Sequence, residues 1–526
     1  MRLLPLLLLA AAPLAAQSTR PERTGFRETS SHADVLAFLD SLMVRGAPIR
    51  VGTLTESAEG RRVPYVVAAR PMVSGPAEAR RSGKPIVYLQ GNIHAGEVEG
   101  KEAAQLLLRD LSFGALRPLL DSVVLVIVPI YNADGNDHMA AGELNRPGQN
   151  GPPIVGENTN GQGLNLNRDY VKMEAPETRA SVALLAAWDP DLFIDLHTTN
   201  GSYHGYALTY APGLNPNSSP VNDYVRDRFL PLVRARMRER HRLETFAYGN
   251  FRNQQKDSLA QGWETYDARP RFGTNWTGLR GRMAILSEGY SNADFRTRID
   301  ATAHFVREIL SLVVEHRATI RSLILASDLR RPDSIVVRSV LGPPTEQDVI
   351  AEITESADDG SGGFARRRRT GVYRTIRMPV FDRFVAQRKE ARPAVYLLPP
   401  SLAPLAAQLR RQGVLVERLS REWHGAVEGF ALDTVLATAT PFEGHRVVSV
   451  EGRWAAAADS APQVRAGWYV VRTDQPLGTF AAYLLEPASE DGFVAWNFLD
   501  RDLHPHRRYP ILRVREPMQV EMVEVE

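Results

Sequence analysis

The segment Gly91 Asn92 Ile93 His94 Ala95 Gly96 Glu97 sets an imidazole and a carboxylate three residues apart, where an apolar run gives way to helical spacing. A ring nitrogen and a carboxylate oxygen at that separation can converge on one Zn²⁺, and zinc hydrolases often combine two His with one Glu while leaving a position open for water. A third ligand must then come from elsewhere in the chain. Spacing alone decides little, because His241 and Glu244 in RERHRLETF repeat it within an Arg-rich amphipathic stretch that reads as an exposed ion-pairing face.

Context separates the two pairs. Pro85 to Leu89 reads as a buried strand, and Glu97 to Asp110 carries Ala103, Ala104, Leu106 and Leu107 at helical spacing, so His94 and Glu97 sit at a strand-to-helix turn. A second apolar run, PDLFIDLHTT from Pro190 to Thr199, delivers His197 at the C-terminal end of a strand, the edge where ligands gather in open α/β sheets. An isolated His there could equally be a hydrogen-bonded core residue. A third run, Met283 to Ser287, ends in Glu288, an acid that is costly to bury without a partner. Together these strand ends offer three metal ligands and a separate carboxylate able to take a proton from water.

In the order of its motifs the chain resembles the zinc carboxypeptidase family, the metallocarboxypeptidases similar to carboxypeptidase A. The likeness runs from about Thr24 to about Asp328, through His94-x-x-Glu97, YNADG at Tyr131 to Gly135, Asn167-Arg168, His197 and Glu288. It implies one zinc ion per chain held by His94, Glu97 and His197, with Glu288 as general base. Asn167 and Arg168 match the family's anchor for a peptide's terminal carboxylate, a task suited to the planar, permanently charged guanidinium. Arg146, in ELNRPGQNGP, resembles the arginine that stabilises the oxyanion of the tetrahedral intermediate. Tyr266 resembles the tyrosine that closes over substrate, although a packing role suits it nearly as well.

Two departures stand out. Many family members carry an acid two residues before the Asn-Arg pair, where it orients the first ligand histidine; this chain has Asn165, whose carbonyl can accept the imidazole N–H but raises ligand basicity less. Asp195, two residues before His197, is a possible compensation. In Phe272 to Trp276, which aligns with the specificity pocket, Thr274 offers no charge, and this argues against selection of terminal Lys or Arg. The implied activity is a metallocarboxypeptidase acting on peptides with a free C-terminal carboxylate. A zinc amidase or deacylase acting on N-acyl amino acids or cell-wall peptides could use the same metal and base, and an inactive peptide-binding protein could keep the same fold.

The elements that must position these residues alternate between strand and helix up to about residue 328, which predicts an α/β domain with helices on both faces of a parallel or mixed sheet. A helix is expected near Ala33 to Leu42, strands at Val51 to Leu54, Tyr65 to Ala68 and Val123 to Val128, and one long amphipathic helix from Asp294 to about Leu325. Arg330 to Val337 reads as a linker. Residues 335–526 form a smaller α+β accessory region with strands at Ala394 to Leu398 and Gly467 to Val471, a helix near Leu402 to Arg411 and none of the ligand motifs.

Residues 1–16, MRLLPLLLLAAAPLAA, have a basic start, a short apolar run and a small-residue end, and read as a secretory signal peptide, so that 17–328 is the expected catalytic domain. A periplasmic or secreted location follows. No later segment approaches 18 uninterrupted apolar residues, so no membrane span is expected. With no Cys, metal ligation falls to His and carboxylate, and disulfides and thiol catalysis are excluded. The net charge of +2 gives no reason to expect nucleic acid, and Arg366 to Arg369 reads as part of a solvated loop.

Overall fold

The computed structural model describes residues 18–218, 220–356, 367–456 and 463–524. The proposed leader, 1–16, lies outside them. Eight strands form the central sheet: β1 (Ile49–Glu56), β2 (Arg62–Ala68), β3 (Ile86–Gly91), β4 (Val124–Val128), β5 (Leu192–Thr198), β6 (Leu208–Pro212), β7 (Thr245–Ala247) and β8 (Met283–Gly289). Their order is β1-β2-β4-β3-β5-β8-β6-β7. The middle run β4-β3-β5-β8 is parallel; β1 and β2 on one side run antiparallel to their neighbours, and on the other side β6 runs antiparallel to β8 with β7 parallel to β6. The sheet is therefore mixed, as its alternating sequence pattern predicts.

Every residue of β3, β4, β5 and β8 is buried, which explains why these strands read as continuous apolar runs. One face, with Val87, Leu89, Ile194 and Ile285, packs on α2 (Glu99–Phe113) and α6 (Phe295–Glu315), and also meets α1 (His32–Val44). The other face, with Tyr88, Val126 and Phe193, packs on α3 (Pro176–Trp188) and continues without a break into side chains of the C-terminal region such as Leu405, Phe480 and Trp496. Two further helices matter below: α4 (Leu230–His241) and α5 (Gly273–Leu279).

The long helix expected from Asp294 is two helices. α6 ends at Glu315 and α7 (Arg317–Asp328) begins one residue later, because His316 leaves helical geometry and its ring bonds the Tyr224 hydroxyl at 2.8 Å. The linker expected at Arg330 to Val337 is already strand from Ser334: β9 (Ser334–Leu341) pairs antiparallel with β12 (Phe384–Ala391). Between them lies a hairpin of β10 (Thr345–Ser356) and β11 (Arg367–Phe381). Arg367 to Arg369, expected in a loop, are its rungs, opposite Ser356, Glu355 and Thr354; Arg366 lies outside the described residues.

The C-terminal region is a seven-stranded antiparallel sheet that includes β13 (Val395–Leu398), β14 (Glu417–Leu419), β15 (Glu428–Ala437), β16 (Val448–Ala456), β17 (Tyr469–Arg472) and β18 (Arg508–Val514). With helices α8 (Ala403–Arg411) and α9 (Gly478–Leu485) it is the smaller α+β unit expected.

Candidate active site

The site forms at the C-terminal ends of β3, β5 and β8. The chain leaves β3 through Asn92, whose φ of 67° starts the turn, and a bond of 3.0 Å from the Glu97 backbone N–H to the His94 carbonyl closes it. The YNADG segment braces this turn from the side: the backbone N–H groups of Tyr131 and Asn132 bond the carbonyls of Gly91 and Asn92, and the Asn132 side chain caps the short helix that follows. Helix α2 then lies so close to β5 that a Cβ on Gly100 would sit 2.7 Å from that of Leu196. Glycine at this point lets the helix approach closely enough for the turn ahead of it to bring Glu97 up against His197.

Glu97 is the hub. One carboxylate oxygen lies 3.2 Å from His94 Nδ1 and 3.1 Å from the Arg146 guanidinium; the other lies 2.9 Å from His197 Nδ1 and accepts from the Thr198 backbone N–H at 3.0 Å. Both imidazoles thus turn Nδ1 inward, and ligand atoms of His94, Glu97 and His197 all fall within 4.8 Å of one another. The outward nitrogens have their own partners: His94 Nε2 meets Asn165 Oδ1 at 3.1 Å and His197 Nε2 meets Asp195 Oδ2 at 3.1 Å. Asn165 therefore does orient the first histidine, whereas Asp195 serves the second. Two ring nitrogens and one carboxylate, converging and oriented from behind, fit zinc by donor chemistry and by support.

The electrostatics agree with a site built around charge. Burial pushes the Glu97 carboxyl upward, but attraction from Arg146 and His94 and hydrogen bonds from both histidines outweigh it and hold the group well below the usual carboxylate range. Glu288 stands beside His197 in the parallel β5–β8 register, so the two side chains share a face. Burial, opposed by His197 and helped by the charge of Glu97, raises Glu288 to about 8. A cation among the three ligands would draw that value down toward neutrality, where a carboxylate works well as a base.

The other residues singled out from the sequence also gather here. Arg146, buried at the end of a short helical turn, bonds the Thr198 and Thr199 carbonyls at 2.6 and 3.2 Å besides facing Glu97. The Asn167 amide lies 3.3 Å from His197 Nε2, and its carbonyl accepts from the backbone N–H of Gly273. Arg168 bonds the Asn167 carbonyl at 2.8 Å and stacks on Phe272 at 4.1 Å. Tyr266 packs edge-on against Phe272 and against Tyr248, and its hydroxyl is 3.5 Å from Asn275 Oδ1. Thr274 is buried in the first turn of α5, close to the Tyr266 hydroxyl. The decoy pair separates: His241 bonds Glu308 on α6 at 2.9 Å, while Glu244 pairs with Arg238.

Tyr248 escaped the sequence reading. It follows β7, and after burial the charges acting on it are those of Glu288, Glu97 and Arg146, which places a second phenol at the centre of the site. Its one sequence signal is a Tyr directly after a short edge strand, and that signal is common.

Residues 35–269 match the family model for zinc carboxypeptidase, a span that holds His94, Glu97, Arg146, Asn167, Arg168 and His197. The chain is similar to carboxypeptidase 2 of Trichophyton tonsurans, 24% identical over 87% of this chain and 81% of that protein, and to carboxypeptidase 2 of Trichophyton rubrum, 24% identical over 88% and 82%. These alignments reach beyond the first 328 residues into the C-terminal region. Among solved structures it is similar to a metallo-carboxypeptidase from Burkholderia cenocepacia, with a TM-score of 0.41 and 20% identity, covering 55% of this chain and 70% of that one. Over residues 35–269 the chain thus carries the match to zinc carboxypeptidase, and the protein is a metallopeptidase of the carboxypeptidase type. No described helix is long and apolar enough to cross a membrane.

Proposed function

We propose that the protein removes the C-terminal residue of peptides, with residues 17–328 as the catalytic domain, 335–526 as a region packed on it, and a single zinc ion held by His94, Glu97 and His197. The carrying observation is the convergence of both Nδ1 atoms on the two oxygens of one buried carboxylate, with a separate acid, Glu288, on the same face beside them. Zinc bound there supplies Lewis acidity to a carbonyl and to water. Glu288 accepts the proton of the attacking water and passes it to the leaving nitrogen. Arg146 faces the developing oxyanion from a buried position where charge is little screened.

Asn167 and Arg168 hold the substrate's terminal carboxylate. Only one donor of Arg168 is engaged by Asn167, and stacking on Phe272 fixes the plane of the rest. Anchoring the chain end lets only the last bond reach the metal, so positioning makes the exopeptidase. Tyr266, held against Phe272 and Thr274, lines the pocket for the terminal residue and can donate to the substrate. Export directed by residues 1–16, to a periplasmic or extracellular location, belongs to the same proposal, and N-terminal sequencing of the exported protein tests it.

The deciding experiment compares a peptide with its C-terminal amide, in wild type and in Glu288→Gln. Hydrolysis of the free acid alone, reduced at least about a hundredfold in the variant with zinc content unchanged, is expected. Equal turnover of the amide would move the protein to the amidase class.

A further inference from the structure

The carboxylate of Glu443, in the connection between β15 and β16, makes no hydrogen bond or ion pair among the described residues, yet it sits at the substrate-anchoring end of the site. Phe442 and His445 bond each other through both backbone N–H groups, at 2.8 and 3.0 Å, and Glu443 and Gly444 have φ of 50° and 79°. This is the tight two-residue hairpin turn with both central residues left-handed, a rigid mount. Its tip is fixed to the catalytic domain at three points. His445 bonds Glu174 at 2.8 Å, Lys172 reaches the Glu443 carbonyl at 3.5 Å, and the Phe442 ring covers the Arg271 guanidinium at 5.0 Å. Lys172 and Glu174 follow Arg168 in the chain, and Arg271 precedes Phe272, on which Arg168 stacks. The tip thus touches both segments that hold the anchoring arginine.

We infer that this turn closes the pocket for the terminal residue of the substrate, and that Glu443 selects peptides ending in a basic side chain. The inference rests on the carboxypeptidase reading above. Arg168 supplies the point where the terminal carboxylate binds, and the side chain of the same residue leaves from the adjacent Cα, into the space around that point. The charges there are mostly spent internally: Arg271 is bound by Asp491 at 2.9 Å and Arg269 by Asp267 at 2.8 Å. After burial, the strongest charge effect on Arg168 is the attraction of Glu443, ahead of Asp267 and Glu97. An unpaired acid remains within range of the side chain of a bound terminal residue, and a Lys or Arg there would complete the pair. Thr274 contributes no charge to the pocket; the charge enters from the C-terminal region.

The test uses zinc-loaded full-length protein and three peptides identical except for a terminal Lys, Leu or Glu. Wild type is expected to favour Lys over Leu in kcat/KM; the ratio should fall about tenfold in Glu443→Gln, and Glu443→Lys should shift preference toward terminal Glu. Glu443→Asn, which suits a positive φ, serves if the Gln variant does not fold. An unchanged ratio overturns the inference, and so does a uniform gain for all three peptides, which would make Glu443 a mere counter-charge to Arg168. If wild type hydrolyses none of them, the carboxypeptidase reading has failed, and the pocket is judged by calorimetry. Tighter binding of Nα-acetyl-lysine than Nα-acetyl-leucine, lost in Glu443→Gln, sustains it, and equal binding removes it.

Discussion

Four polar groups from three segments of chain meet the Glu97 carboxylate, and each histidine that faces it has a partner of a different kind behind it. Asn165 is a neutral carbonyl and Asp195 a buried carboxylate, so the two imidazoles are not equivalently supported. A carboxylate behind a metal-binding imidazole raises its basicity, and outer partners of this kind are typically worth about 10- to 100-fold in metal affinity. Asp195→Asn should therefore weaken zinc binding within that range, while Asn165→Asp should tighten it by up to about tenfold. Competition against a chelator of known affinity measures both. If Asp195→Asn binds zinc as wild type does, the strand-end acid plays no part in holding His197.

The turn carrying His94 and Glu97 works only because α2 can approach β5, and Gly100 sets that distance. Alanine at 100 would press its methyl into Leu196, one residue from His197, and overpacking of this kind costs about 1–3 kcal/mol. Gly100→Ala should lower the urea midpoint and also weaken zinc binding, since the turn that leads into the displaced helix holds Glu97 and the strand holds His197. A stability loss with zinc affinity intact would show that the turn is fixed independently of the helix. The same elements explain what could be read in advance. His94, Glu97, His197 and Glu288 were legible because buried strands leave uniform apolar runs, and a polar residue ending such a run stands out. The elements further on left weaker marks. His316 breaks a helix by leaving helical geometry in an otherwise regular amphipathic pattern, where its bond to Tyr224 links residues far apart in the chain. Arg367 to Arg369 look like a solvated run until paired, when Arg369 reaches the buried Glu352 at 2.8 Å across the hairpin. Tyr248 and Glu443 reach the site from an edge strand and a distant turn, and no local pattern announces either.

The central sheet and the C-terminal region share a single apolar core that runs through both. Their contacts are sensitive to charge. His204, buried among Tyr206, Trp263 and Tyr290 and bridged through its backbone to Ala351 of β10, is lowered by burial, with Arg369 adding to the effect, to about 3. In the unfolded chain a His takes up its proton near pH 6.5, whereas the folded chain refuses it until about pH 3. The unfolded state binds the extra proton across that window, so stability must fall as pH drops from about 6.5 toward 3. His204→Gln should flatten this limb of a denaturation-versus-pH curve, and an unchanged slope would assign it to other groups. A buried link between the two regions is the pair Arg271–Asp491, 3% and 0% exposed. Asp491 also accepts from the Arg271 backbone N–H at 2.7 Å and from Trp496 Nε1 at 3.0 Å, so its removal strands one buried cation and two buried donors. Asp491→Leu should cost about 3–5 kcal/mol, the usual penalty for leaving a buried charge alone. Adding Arg271→Met removes the charge but not the two N–H donors, and each such donor costs about 1–3 kcal/mol, so the double variant should recover only part of the loss. Because the core is shared, fluorescence and circular dichroism should report one coincident urea transition in every variant. Two separated transitions, or a cost for Asp491→Leu below about 1 kcal/mol, would mean that the C-terminal region merely leans on the catalytic domain, and Glu443 would then lack the rigid mount its proposed role requires.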